Sequence, residues 1–349
     1  MAEKKKLSER TKKTFWAIFS LVLAGLTIWA VLKQSQGVSL SDLIHVAASA
    51  NKFYIIASVT CAALFVWFEG RAIRSILKGA GYKCKRRQCL IYSTSDIYFS
   101  AITPSATGGQ PASAYFMMRD GIPAGVVTAT LILNLMMYTV SIVALGIIAV
   151  CMSPMSFFEF SLPSKILILA GLTVLTVLAF LFLSILKKGD WIFDVAAKAI
   201  RFLGRKGILH NLDGKLAKVE KIRADYRSCS ELIAGRSSVL VKSFVWNFLQ
   251  RTSQIIVPVL LYLSQGKPLG NAPALFVKQC LVTIGFNFVP IPGAMGVADY
   301  LMLDGFTAIT GREAAFELEM LSRAITFYIC VAVSGIITLA GYLIKRRKK

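Results

Sequence analysis

Six long stretches of apolar residues constrain this chain more than any other feature. The hydrocarbon core of a bilayer is about 30 Å thick, so a helix needs about 20 apolar residues to cross it. The stretches cover residues 14–33, 53–76, 124–152, 164–186, 237–263 and 320–344. They predict an all-α polytopic membrane protein with six full spans in one transmembrane domain over 1–349. The first stretch is expected to stay as a span, because no small-residue cleavage site follows it closely.

Composition excludes the other classes of protein. The chain has 349 residues and a formal net charge of +22, yet 56% of it is hydrophobic. A soluble protein this apolar would lack the polar surface to cover itself. A nucleic-acid-binding protein can be this basic but would not carry long apolar runs, so no nucleic-acid partner is expected. The seven Cys are scattered without metal-site spacing, and we expect neither a metal ion nor another cofactor.

Two shorter apolar regions are interrupted by Pro and Gly, which break helices. The first lies at about 89–118 around TPSATGGQP, and the second at about 274–309 around PIPGAMG. Non-helical backbone at membrane depth survives only where protein or water shields it. Each region is therefore predicted to be a re-entrant hairpin of two half-helices, or a broken span.

The distribution of basic residues predicts the topology. If both hairpins return to the side from which they enter, most of the 40 Lys and Arg fall on one face, within the N-terminus, 71–87, 187–236 and the C-terminal tail. The positive-inside rule makes that face, with both termini, cytoplasmic. The hairpins then enter from opposite faces, which suggests an inverted repeat with a substrate site near the midplane, as in transporters.

The loop at 187–236 contains two amphipathic segments, 191–203 and 216–226. A basic amphipathic helix beside membrane spans typically lies on an anionic leaflet. We therefore expect this loop to contact anionic lipid at the cytoplasmic face; the alternative is a docking surface for a partner protein.

The first break predicts an anion site. Glycines let the backbone approach a ligand, and the free amides at the start of the next half-helix attract negative charge. Hydroxyl side chains are also close by in the sequence. A phospholipid phosphate is the natural anion at this depth, although the break could serve only helix packing. The candidate substrate-binding residues are Thr103, Ser105, Thr107, Gly108, Gly109 and Gln110.

The second break repeats this design, with Gly293 and Gly296 freeing the backbone. Asp299 then falls in the first turn of the next half-helix. Its carboxylate could complement the helix dipole, bind a cationic head group, or pair with Arg323.

Ionisable residues within apolar segments are costly and mark functional sites by default. Asp96 is predicted to lie in a buried site, whereas Glu69 is expected to form an interfacial ion pair with Arg71. Arg251 and Arg323 suit a phosphate group, since a guanidinium binds phosphate through two parallel hydrogen bonds. No arrangement of catalytic side chains is found, so no catalytic residue is assigned.

The segments TPSATGGQPASAYFMMRDGIP and PIPGAMGVADYLML, together with Arg323, resemble the membrane domain of the multiple peptide resistance factor family. These proteins are bacterial lysylphosphatidylglycerol synthase/flippases, and the resemblance covers essentially the whole chain. Family members usually carry Glu at the position of Asp299, often an acidic residue at that of Gln110, and a basic one near Ser113.

The resemblance implies a function. Full-length members add a cytoplasmic domain of acyltransferase-like fold that transfers lysine from lysyl-tRNA to phosphatidylglycerol, and this chain is expected to lack it. The membrane domain is implicated in moving the product to the outer leaflet, which repels cationic antimicrobial peptides. We therefore expect a flippase-like translocase of anionic or aminoacylated phospholipid in the bacterial cytoplasmic membrane. The alternatives are a phosphatidylglycerol lysyltransferase-type enzyme and a membrane partner of a separate lipid synthase; homo-oligomerisation is left open.

Overall fold

The computed structural model describes residues 50–103, 106–188, 190–205, 212–234, 236–289 and 291–347. Within these ranges the regular structure is helical and contains no strand, which confirms the predicted all-α class. The predicted first span at 14–33 and the candidate residue Ser105 lie outside the described residues.

The α-helices of the described part are numbered in chain order. They are α1 Lys52–Gly79, α2 Arg86–Ile102, α3 Gly109–Arg119, α4 Ala124–Met152, α5 Leu162–Lys188, α6 Asp190–Arg205, α7 Leu212–Ala234, α8 Ser237–Ser264, α9 Ala272–Phe286, α10 Val297–Thr310, α11 Arg312–Arg323 and α12 Cys330–Arg347. A π-helical turn, Ala324–Ile329, joins α11 to α12.

Five segments of the described chain are long and apolar enough to cross a membrane: 52–79, 124–152, 162–182, 269–286 and 312–344. Four of them match predicted spans. The fifth, 269–286, was expected to be half of the second hairpin. The predicted span at 237–263 forms α8, which is long enough but carries polar residues at its centre and is not among the five. The chain is thus a multi-pass membrane protein, and the predicted set of six spans is not reproduced in that form.

Both predicted breaks occur between packed pairs of helices. α2, which ends at Ile102, packs against α3, which begins at Gly109, and α9, which ends at Phe286, packs against α10, which begins at Val297. With 11 residues in α3 and 14 in α10, these helices are about 16 and 21 Å long at 1.5 Å per residue. Neither can cross a 30 Å hydrocarbon core alone. We call these two helix pairs, with their turns, the first and second hairpin.

Packing brings the two hairpins together. α1 and α8 run against each other along much of their lengths, and α4 packs on α5, α8 and α9. α12 packs on α2, and the short turn Pro292–Ala294 of the second hairpin also contacts α2. The two breaks in helical structure therefore face a shared interior rather than separate surfaces.

The two amphipathic segments predicted within 187–236 lie in helices α6 and α7. α6 packs on α7 through the rings of Phe193 and Tyr226, whose centroids are 5.4 Å apart, and α7 packs on α4. Arg223 forms a 2.9 Å ion pair with Asp194 across the two helices. This contact fixes α6 on α7 at one end of the bundle.

Candidate functional site

A cavity of about 610 Å3 lies between the two hairpins. Helices α1, α4, α5 and α8, the end of α11, the π-helical turn and the start of α12 also line it. The α5 side is apolar and includes Val174 and Leu178, whereas α1, α2 and α8 contribute charged and amide side chains. The volume falls within the range of ordinary ligand pockets, about 300–1,000 Å3.

Two carboxyl groups meet at one side of this cavity. Glu69 and Asp96 both line the cavity and are each 6% exposed, and their carboxyl groups are close enough to interact electrostatically. The Gln250 amide donates to Glu69 Oε2 at 3.1 Å. Such a pair must be held by donors or balanced by positive charge, because an isolated buried carboxylate is very costly.

The predicted ion pair between Glu69 and Arg71 was wrong. The Arg71 guanidinium instead lies over the rings of Trp67 and Trp246, at 5.3 and 4.7 Å. Residues two apart on a helix point in different directions. Glu69 therefore faces the cavity while Arg71 faces away from it.

Asp96 occupies the place beside the start of α3 where the sequence predicts an anion. Its Oδ2 accepts a 2.9 Å hydrogen bond from Gln110, and its Oδ1 accepts one of 3.1 Å from Ser100. A Cβ on Gly109 would overlap with the Asp96 carboxylate. The anion beside this helix N-terminus is thus the carboxylate of Asp96 itself. Binding of a ligand phosphate at the same place is still a prediction.

The turn of the first hairpin is held by Thr103. Its hydroxyl donates to the Phe99 carbonyl at 2.6 Å and accepts from the Gly108 amide at 2.8 Å. Thr107 and Gln110 line the cavity, whereas Thr103, Gly108 and Gly109 shape the turn behind its wall.

Arg251 supplies positive charge at the centre of α8. It is 7% exposed and lies over the rings of Tyr138 and Phe65, at 4.1 and 5.0 Å. One of its terminal nitrogens donates to Gln254 at 2.7 Å, while its Nε has no hydrogen-bond partner. A buried guanidinium with a vacant donor is suited to an anionic ligand.

The second hairpin is tied to the last span by Arg323. Its Nε lies 2.6 Å from Asp299 Oδ1, and one terminal nitrogen donates to the Gly293 carbonyl at 3.1 Å. Asp299 also accepts a 2.8 Å hydrogen bond from the Gly296 amide at the start of α10. Two of the three predicted roles of Asp299, dipole complement and partner of Arg323, are thus combined. Arg323 and Gly293 line the cavity, whereas Asp299 and Gly296 stand behind them.

Breaking this ion pair should cost much of the stability of the bundle. We expect Arg323→Gln to lower the free energy of unfolding by about 1–3 kcal/mol, because it leaves the partly buried Asp299 carboxylate, whose side chain is 20% exposed, without its charged partner. Asp299→Asn in the same chain should recover part of that loss. Thermal unfolding in detergent measures both, with Arg312→Gln at the exposed start of α11 as control; an equal effect of the control would refute the role of the pair.

Each hairpin contributes one carboxylate to a cluster of two carboxyl groups and an arginine, the others coming from neighbouring helices. Glu319 is 5% exposed and lies within hydrogen-bonding distance of Asp299. The second cluster therefore contains two carboxyl groups and Arg323, as the first contains Glu69, Asp96 and Arg251. In each cluster one carboxylate stands at the N-terminus of the second helix of its hairpin.

Arg251 was predicted as a site residue and Glu69 was noted as ionisable, but several neighbouring cavity residues, among them Gln250 and Gln254, were missed from the sequence. Those on α8 have a recognisable spacing, because positions i, i+3, i+4 and i+7 share one helix face. That pattern runs through the polar residues Asn247, Gln250, Arg251 and Gln254, three of which line the cavity. Glu69, Tyr138 and Gln279 have no comparable local signal. Among the described residues, no group of His, Cys, Asp and Glu is arranged to hold a metal ion.

A comparison with protein families identifies the chain. The profile described as the lysylphosphatidylglycerol synthase TM region matches residues 17–334, which include both hairpins and Arg323. The chain belongs to this family. The resemblance noted from the two Pro- and Gly-rich segments is thereby confirmed. A search of curated proteins finds no match. As a member of the lysylphosphatidylglycerol synthase TM-region family, the chain is a multi-pass membrane protein.

Proposed function

We propose that this chain translocates phospholipid across the bacterial cytoplasmic membrane, in the manner of a flippase. The observation that carries the proposal is the polar cavity between the hairpins, with Arg251 buried at its wall and its Nε unpartnered. A phospholipid phosphate supplies the acceptor oxygens that this guanidinium lacks. The apolar wall from α5 suits the start of the acyl chains. Anionic or aminoacylated lipid such as lysylphosphatidylglycerol is the proposed substrate.

The proposal includes an alternating path for the head group. The two charge clusters support an inverted repeat in which both hairpins are re-entrant and enter from opposite faces. A site at the junction of two such elements lies near the midplane, where rocking of one repeat against the other opens it to either side. The basic loops place both termini in the cytoplasm in this arrangement.

The exposed surface of α6 supports an orientation in which the 187–236 segment lies on an anionic lipid leaflet. Trp191, Val195 and Phe202 are exposed and share one helix face with Lys198. Apolar rings can enter the head-group region there while the Lys ammonium extends to lipid phosphates. We propose that this face of α6 rests on the cytoplasmic leaflet.

Export of lysylated lipid would connect the cavity to resistance against cationic antimicrobial peptides. Each lysylphosphatidylglycerol molecule that reaches the outer leaflet replaces negative with positive surface charge. Cationic peptides are then attracted less strongly to the membrane. The test of this connection is whether loss of translocation and loss of peptide resistance coincide in the same variants.

Translocation can be measured in reconstituted vesicles that contain fluorescent phosphatidylglycerol or lysylphosphatidylglycerol. Vesicles with the protein should expose labelled lipid to an external quencher faster than protein-free vesicles. Rates equal to those of protein-free vesicles for both lipids would contradict the proposal. Transfer of labelled lysine from lysyl-tRNA to lipid by the same preparation would favour the lysyltransferase alternative.

A further inference from the structure

The carboxyl pair of the first cluster points to a function beyond binding. Glu69 and Asp96 line the same cavity, are both 6% exposed, each accept a hydrogen bond from a glutamine amide, and interact with each other electrostatically. Two carboxylates this close do not both ionise in a buried site unless positive charge balances them. Arg251, on the facing helix, provides one positive charge. One proton shared by the pair therefore makes the empty cluster neutral.

The surrounding hydrogen bonds indicate where this proton resides. The Asp96 carboxylate accepts hydrogen bonds from Ser100 and Gln110. It lies beside the N-terminus of α3, so its ionised form is stabilised. Glu69 accepts from Gln250 through Oε2, which leaves Oε1 to carry the proton. The other titratable or charged groups that face the pair are the Cys330 thiol from α12 and, across the cavity, the Tyr138 hydroxyl and Arg323.

A second observation points to a cationic ligand at the same place. Gln250 lines the cavity and is 2% exposed; its amide nitrogen donates to Glu69, and its Oε1 is buried without a hydrogen-bond partner. Gln279 Oε1 is a second buried acceptor on the cavity wall without a partner. An ammonium group brings three N–H donors and no acceptor. It would satisfy these oxygens and replace the charge of the proton.

We propose that the Glu69–Asp96 pair is a proton-exchange site, in which a head-group ammonium enters as one proton leaves to water. No covalent bond changes. The cluster is neutral in both states, because the ammonium charge replaces that of the released proton. This inference rests on the proposed function and adds to it a way of coupling lipid movement to a pH gradient. Phosphatidylglycerol, which has no ammonium, releases no proton.

The exchange predicts a specific pH dependence. The empty site binds one proton more than the occupied site, so lowering the pH favours the empty state. The affinity for an ammonium lipid should increase about tenfold for each unit by which the pH is raised, over the range in which Glu69 is protonated in the empty protein. The affinity for phosphatidylglycerol should not follow this slope. Glu69→Gln, which mimics the protonated side chain, should remove the slope.

Infrared difference spectroscopy can detect the proton directly. The probes are dialkyl phosphatidylethanolamine and dialkyl phosphatidylglycerol, whose ether linkages contribute no carbonyl band. Adding the ethanolamine lipid to the detergent-solubilised protein should bleach the band of a protonated carboxyl group, and adding the glycerol lipid should not. The bleach should be absent in Glu69→Gln. It should persist in Glu319→Gln, the same change in the second cluster, which does not line the cavity.

Each outcome decides the proposal. Absence of the bleach in the unmodified protein, its persistence in Glu69→Gln, or an equal bleach by sodium chloride would overturn it. Translocation measured on the same preparation separates the two claims. Lipid movement without proton release would refute the proton exchange and agree with translocation. Proton release without lipid movement would agree with the proton exchange and refute translocation.

Discussion

Replacing Arg251 with methionine should abolish most lipid translocation. The change removes the guanidinium, whose Nε has no hydrogen-bond partner, from the cavity wall and leaves Glu69 and Asp96 without a positive neighbour. A hydrogen bond to a charged group contributes about 1.5–3 kcal/mol, which corresponds to a loss of between about tenfold and a hundredfold in rate. The measurement is the exposure of fluorescent lysylphosphatidylglycerol in reconstituted vesicles.

Arg251→Lys provides the matched comparison. It keeps the positive charge beside the carboxyl pair but loses the planar group that lies over Tyr138 and can bind phosphate through two nitrogens. Folding should survive, and translocation should fall to a value between those of the methionine variant and the unmodified protein. Unmodified rates in both variants would show that Arg251 does not contact the transported lipid.

Adding one methyl group at Gly109 should have a comparably large effect. A Cβ at this position would overlap with Ser100 Oγ and Asp96 Oδ1 and would lie 2.6 Å from the Asp96 carbonyl oxygen. A side chain can rotate away, but the carbonyl belongs to the backbone of α2. Gly109→Ala should therefore separate α2 from α3 and lower the free energy of unfolding by about 1–3 kcal/mol. Displacement of Asp96 should also stop translocation.

Gly270→Ala is the control for this substitution. A Cβ at Gly270 meets no atom within 4 Å, so the variant should match the unmodified protein in thermal unfolding and in lipid movement. If Gly109→Ala also behaved like the unmodified protein, the inference that α2 and α3 approach closely at the cavity wall would be wrong.

The helical breaks could be predicted from the sequence because their chemistry is local. Pro and Gly interrupt two apolar regions, and the structure has a turn at each. Gly293 shows why glycine is needed there: its φ is +59°, and a Cβ would overlap with the ring of Phe327. The pairing of Asp299 with Arg323 was also among the predicted alternatives, since both are costly charges beside the second break.

The role of Glu69 could not be predicted in this way. Its function depends on α8, which follows it by more than a hundred residues and brings Gln250 and Arg251 against it. The sequence shows only that Glu69 is near Arg71, and helix geometry turns these side chains apart. Within the described residues, α8 was predicted as a span but is not among the five candidates, for a related reason: the polar face of α8 that lowers its hydropathy is the face that lines the cavity.

The central claim is that a lipid head group enters the cavity between the hairpins. Electron cryo-microscopy of the protein in nanodiscs containing lysylphosphatidylglycerol tests it most directly. We expect head-group density inside the cavity, with the phosphate about 2.7–3.0 Å from the Arg251 guanidinium and the ammonium beside Glu69 and Asp96. Lipid density confined to the outer surface of the helices, with the cavity closed by side chains, would contradict the account.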